Sequence, residues 1–190
     1  VIMINWFREN KWKNGCIVLT AIALIFTVNT IVLYNKNNEL KEEYIRKLTA
    51  EWYQLYRMTD FVDKYYIKFD FQEPEKFQLY VNQAAYNFNG RADDLSVNMR
   101  NLLVLAYDPL FKDLAKEEGP ANAEEASTLL KEMNDEMLLI SKSIIDLSDK
   151  EKQKILLNPK SPEFIKLSTE VKDDYNKYIK LVDDYFRNHS

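Results

Sequence analysis

Histidine and cysteine occur once each in this 190-residue sequence, glycine three times and proline five times. The histidine, His189, stands next to the last residue, where fraying is the default. With no second histidine, a histidine-based triad lacks a positioned base and a His-rich metal site lacks ligands. The Glu-x-x-His pairs of di-metal helix bundles are missing, as are the glycine-rich loops that cradle phosphate. Cys16 alone rules out an intrachain disulfide, which leaves the compartment open. It precedes the apolar run, whereas a lipoprotein cysteine would follow one. So little glycine and proline argues against a turn-rich β fold and for an all-helical chain. The acid pairs Asp93/Asp94, Asp173/Asp174 and Asp183/Asp184 are sequence neighbours, about 100° apart on a helix, so they face solvent rather than one substrate atom. We expect no catalytic, cofactor-binding or metal-binding residues, no cofactor and no enzyme.

Charge excludes a further class. The formal net charge is −4; Arg8, Lys11 and Lys13 against Glu9 give the first residues +2, so the rest carries −6. A negative domain without Arg/Lys clusters is a poor nucleic-acid binder, and none is expected as a partner.

What the chain does have is one long uncharged window between Lys13 and Lys36, with CIVLTAIALIFTVNTIVLY from Cys16 to Tyr34 at its centre. A helix rising ~1.5 Å per residue crosses the ~30 Å hydrocarbon core with such a length. Residues 1–14 form a short basic tail, with Trp6 and Trp12 placed for the membrane interface. Val1 in front of Met3 fits a non-AUG start or a true start at Met3. Ala21 and Ala23 have the spacing of a cleavage site but fall inside the run, so residues 15–35 read as an uncleaved signal anchor. Basic residues flank both sides, yet a short basic tail usually stays in the cytoplasm. The expectation is a single-pass protein of a bacterial cell membrane, its bilayer-anchored domain of residues 36–190 outside.

Four amphipathic helices are predicted in that domain. In helix A, Ile45, Leu48, Trp52, Leu55, Thr59, Val62, Tyr66 and Phe69 alternate three and four apart, a coiled-coil-like seam. Nothing between Tyr34 and Lys41 is proline or glycine, so we expect one rod from about Gly15 to Phe69, on the order of 80 Å long. It would hold the domain upright, whereas coil at Asn35–Asn38 would make a swivelling tether. Helix B is read from Pro74 to Tyr107, ended by Asp108-Pro109; Asn82, Asn87, Asn89 and Gly90 crowd its middle and predict a kink, with a turn as the alternative. Residues 108–121 form the longest connection, with room for a short helix. Helix C runs from Asn122 to Leu147. Ser148 and Glu151 spell a capping box for a short helix ending near Asn158-Pro159, and Ser161-Pro162 opens helix D. The fold class is thus all-α, a transmembrane helix continuing into an antiparallel, up-down-up-down four-helix bundle.

The count and order of these elements resemble the extracytoplasmic four-helix sensor domains of bacterial chemoreceptors and histidine kinases. That resemblance implies a ligand-binding sensory module. Those receptors cross the membrane again after the last helix, whereas this chain stops at Ser190, so a partner would carry the signal.

Twelve tyrosines are many for such a bundle. They either fill its flanks or line a pocket or partner surface. Arg91 and Arg100, nine positions apart, project to opposite sides of a helix and cannot clamp one ligand. The candidate ligand or partner surface is Asn87, Arg91, Tyr53, Tyr56 and Tyr178. Asn29, an amide inside the apolar run, is the candidate contact to another membrane helix. The favoured function is a protein-interaction or scaffold module, with a protein partner or a homo-oligomer expected, and the sensory module is the alternative.

Overall fold

The computed structural model describes residues 11–69, 71, 73–89, 91 and 93–189. Residues 1–10 of the basic tail, Gly90 and Ser190 are among those that lie outside them, together with the predictions made for them. The described residues form helices joined by turns and short connections, with no strand among them. The chain divides into two compact units, Val1–Tyr44 and Ile45–Ser190.

Helix α1 spans Lys11–Phe61 and is unbroken through Asn35–Asn38. Between Ile17 and Tyr34 none of its side chains is buried by protein. This stretch is long and apolar enough to cross a membrane. The hydroxyls of Thr20, Thr27 and Thr30 each donate to the carbonyl four residues back, at 2.8 Å, and so add no unpaired polar group to the apolar face.

From Ile45 onward one face of α1 is buried. Ile45, Leu48, Trp52, Leu55, Thr59, Val62 and Tyr66 are each at most 4% exposed, as the seam predicts. Each large apolar member contributes roughly 1.5–3 kcal/mol on burial. Past Phe61 the helix loosens into a π turn, Val62–Tyr66, and then tightens into a 3-10 turn, Ile67–Phe69. The Phe71 N–H closes the end on the Tyr66 carbonyl at 3.0 Å. Phe71 and Glu73 both hold left-handed backbone (φ 57° and 53°) ahead of Pro74, which sits at the start of α2.

The single helix B is a correction. Its residues form α2 (Pro74–Asn87) and α3 (Asp94–Asn101), separated by a turn, and Asp93 caps α3 by accepting from the Ser96 N–H at 2.9 Å. A side-chain cap and two weak helix formers, Asn87 and Asn89, together turn the expected kink into a reversal. Helix α3 and the helical segment beyond it pack back along α2, with Gln78 of α2 donating to Asp108 at 3.3 Å. Pro109 does not end the helix either. A second π turn, Leu102–Tyr107, leads straight into α4 (Asp108–Leu114), and the Asp108 N–H reaches back five residues to the Leu103 carbonyl. The wider turn relieves the clash that a proline ring makes with a normal helical carbonyl.

The later helices start where predicted. Helix α5 (Ala123–Ile145) is capped by Asn122, and α7 (Pro162–Asn188) by Ser161. Helix α6 (Asp149–Leu156) is opened by the full Ser148–Glu151 capping box. Their stripes, including Leu130, Met133, Met137 and Ile140 of α5 and Val171, Tyr178 and Val182 of α7, enter the same core.

One polar link crosses that core. The Tyr107 hydroxyl donates to Asn134 Oδ1 at 2.7 Å, and Asn134 Nδ2 donates to the Thr59 carbonyl at 3.1 Å. All three residues are fully buried, so α5 is pinned to α1 and to the second π turn by bonds that water cannot replace.

Candidate functional site

Three contacts in a row join α1 to the end of α2. Arg91 pairs with Glu51, Trp52 meets Phe88 edge-on at 5.0 Å between ring centroids, and Asn87 donates to Gln54. Arg91 also lies 3.4 Å from the Ser96 hydroxyl, which donates to Asp93 at 3.0 Å. Burial pushes the Glu51 carboxyl above its usual range, with Arg91 and Lys47 pulling it back. Arg91 thus fastens the α2–α3 turn to α1 through a partner forty residues away in sequence, a pairing that no local pattern announces.

The proposed surface residues separate accordingly. Asn87 and Arg91 are brought together, both half-buried and engaged with α1. Tyr53 is exposed beside half-buried Tyr56, with ring centroids 6.2 Å apart. Tyr178 is fully buried on α7, its hydroxyl accepting from Lys177 at 3.1 Å, and offers no surface. Asn29 is exposed within the apolar stretch of α1, and its amide makes no hydrogen bond among the described residues.

A groove of about 300 Å³ runs between α1 and α2 beside these contacts, lined by Gln54, Arg57, Met58, Phe61, Tyr80, Gln83 and Ala84. The Phe61 and Tyr80 rings stand 5.3 Å apart. Arg57 is exposed and has no carboxylate partner among the described residues.

The outer face of α2 is a feature that periodicity in the sequence does not announce. Leu79, Asn82, Gln83 and Tyr86 form a helical stripe, all exposed, with Leu79 71% and Tyr86 73% accessible. Neighbouring Tyr80 is also exposed. No charged residue lies between Lys76 and Arg91, although charged residues make up 29% of the chain. At that frequency about four would fall in the interval. Exposed aromatic and aliphatic side chains without charge mark the cores of protein interfaces. The signal is present in the sequence as a gap in charge rather than as a spacing of apolar residues.

Elsewhere the chemistry is sparse. Asp174 on α7 is pushed up to about 6, first by burial and then by Glu136 and Glu170, with Lys177 opposing. Among the described residues no three metal-ligating side chains converge. Comparison with protein-family models, characterised proteins and solved structures finds no match for this chain.

Proposed function

We propose that this chain is a single-pass membrane protein whose helical domain binds another protein, in the manner of a scaffold or interaction module on the outer face of the membrane. The observation that carries this reading is the charge-free, exposed face of α2. Leaving Leu79, Tyr80 and Tyr86 in water forgoes burial worth roughly 1.5–3 kcal/mol for each large side chain, which a partner would recover. In this reading α1, the α3–α4 run, α5 and α7 are the four members of a bundle, and α2 is a fifth helix at its edge with a face to spare. The apolar stretch of α1 supplies the anchor, and unbonded Asn29 marks where another membrane helix would lie.

The test is the double substitution Leu79→Lys/Tyr86→Lys, introduced into the full chain and extracted in mild detergent. We expect the protein to stay folded and to lose the companion, a second copy or another protein, that chemical crosslinking or co-purification otherwise captures. A companion retained at the same level would refute the assignment.

A cleft of about 360 Å³ between α3 and α7 keeps the sensory reading as a second proposal. Asp94, Asn98, Ser168 and Lys172 line it together with Phe164 and Ile165. A small metabolite that raises the melting temperature of the native chain but not of Lys172→Met would favour that reading. No such ligand in a broad metabolite screen would count against it.

A further inference from the structure

We propose that the face of α2 is shared between two copies of this chain, Tyr86 of each seating in the α1–α2 groove of the other. The inference rests on the interaction reading above and names its partner.

Charge is the first argument. The chain beyond the tail carries −6, so two copies repel wherever their charged faces approach. A contact with a basic protein would be strengthened by acids on the face; a contact with an identical acidic domain is strengthened by having none. The interval from Lys76 to Arg91 has none.

Self-complementarity is the second argument. An interface about a two-fold axis sets one patch against itself, so each group needs its complement on the same patch. Carboxylates and ammonium groups cannot meet their own kind. The amides of Asn82 and Gln83 and the hydroxyls of Tyr80 and Tyr86 each both donate and accept, so they can.

Shape is the third. The stripe presents Tyr86 as an exposed ring, and the groove beside it presents a hole of about 300 Å³. Tyr80 and Gln83 border both, so knob and hole lie next to one another on the same helix. With the axis near Gln83, each Tyr86 meets the other copy's Phe61 and Tyr80, and Arg57 at the rim faces the incoming ring. One short helix on each side makes a small contact, so the pairing is weak, on the order of tens of micromolar.

Disulfide trapping reads such a contact. In full-length protein in detergent micelles, Cys16→Ser removes the native thiol and Gln83→Cys places one near the axis. A Lys131→Cys chain, exposed on α5, is the control. Under mild oxidation Gln83→Cys should give covalent dimer at least ~10-fold faster than the control. Adding Leu79→Lys/Tyr86→Lys should abolish the difference, and Arg57→Ala should reduce it several-fold, with melting temperatures unchanged. Equal rates for Gln83→Cys and Lys131→Cys would overturn the pairing. If the rates are equal while Leu79→Lys/Tyr86→Lys still strips a different protein from the chain, the pairing fails and the interaction reading stands. If that substitution changes nothing in either assay, both fail.

Discussion

Replacing Asn134 by alanine should destabilise the helical domain by about 3–4 kcal/mol, far more than its size suggests. The side chain makes two hydrogen bonds in a fully buried setting, one accepted from the Tyr107 hydroxyl and one donated to the Thr59 carbonyl. Each is worth ~1 kcal/mol net, and stranding the Tyr107 hydroxyl away from water adds ~1–2 kcal/mol. For a chain of this length 1 kcal/mol shifts the melting temperature by roughly 2–4 °C, so the drop should be about 10 °C. The decisive form is a double-mutant cycle with Tyr107→Phe, followed by far-UV circular dichroism on heating. Once the hydroxyl is gone, Asn134→Ala should cost less, leaving a coupling of about 1–2 kcal/mol. The Asn134→Leu/Tyr107→Phe pair should recover part of the loss, because the hydroxyl and the amide leave together and only the Thr59 carbonyl loses a donor. Strict additivity, or a single-variant loss under about 1 kcal/mol, would show that the link does not hold α5 in place.

Further expectations can be checked with the same melting assay. Asp174 is raised to about 6, against an ordinary ~3.9 when unfolded, so it costs the native state stability as pH rises through that window. Asp174→Asn should therefore raise the melting temperature at about pH 7.5 and change it little at about pH 4; equal effects at both would contradict the burial argument. Glu73 holds left-handed backbone on an exposed turn. Glu73→Gly should stabilise by ~0.5–1 kcal/mol after the entropy of the freer unfolded chain is subtracted, and a loss would mean that its side chain supports the turn. Ser148→Ala removes the hydroxyl half of the box that opens α6 and should cost ~1 kcal/mol.

The pattern of success follows which interactions are local. Caps are decided within four residues, so Asn122, Ser148 and Ser161 mark their helix starts correctly. The seam of α1 is legible because Ile45 to Tyr66 repeat with the helix period whatever packs on them. Asp93 is legible too, as Asp-x-x-Ser, but reading it with Asp94 as a solvated pair hides the α3 cap and with it the reversal after α2. Pro109 misleads for a different reason. A proline normally stops a helix, and only the π turn before it, held in the core by Leu102, Leu103 and Tyr107, lets the chain continue. Asn87 and Arg91 stand out by composition, yet what they do depends on Gln54 and Glu51 across a long sequence separation. Tyr178 stands seven residues after Val171 and four before Val182, so the helix period already puts it on the buried stripe of α7, and taking it as a surface tyrosine overrides that spacing.

The central claim, that the face of α2 meets another protein, is tested most directly by a photo-crosslinking residue at position 86 in the full chain, activated in intact cells. An identical probe at Lys131 serves as the reference. Position 86 should yield discrete protein adducts that Leu79→Lys removes and that position 131 never forms. Lipid adducts alone at position 86, or protein adducts no stronger than those at 131, would contradict the account.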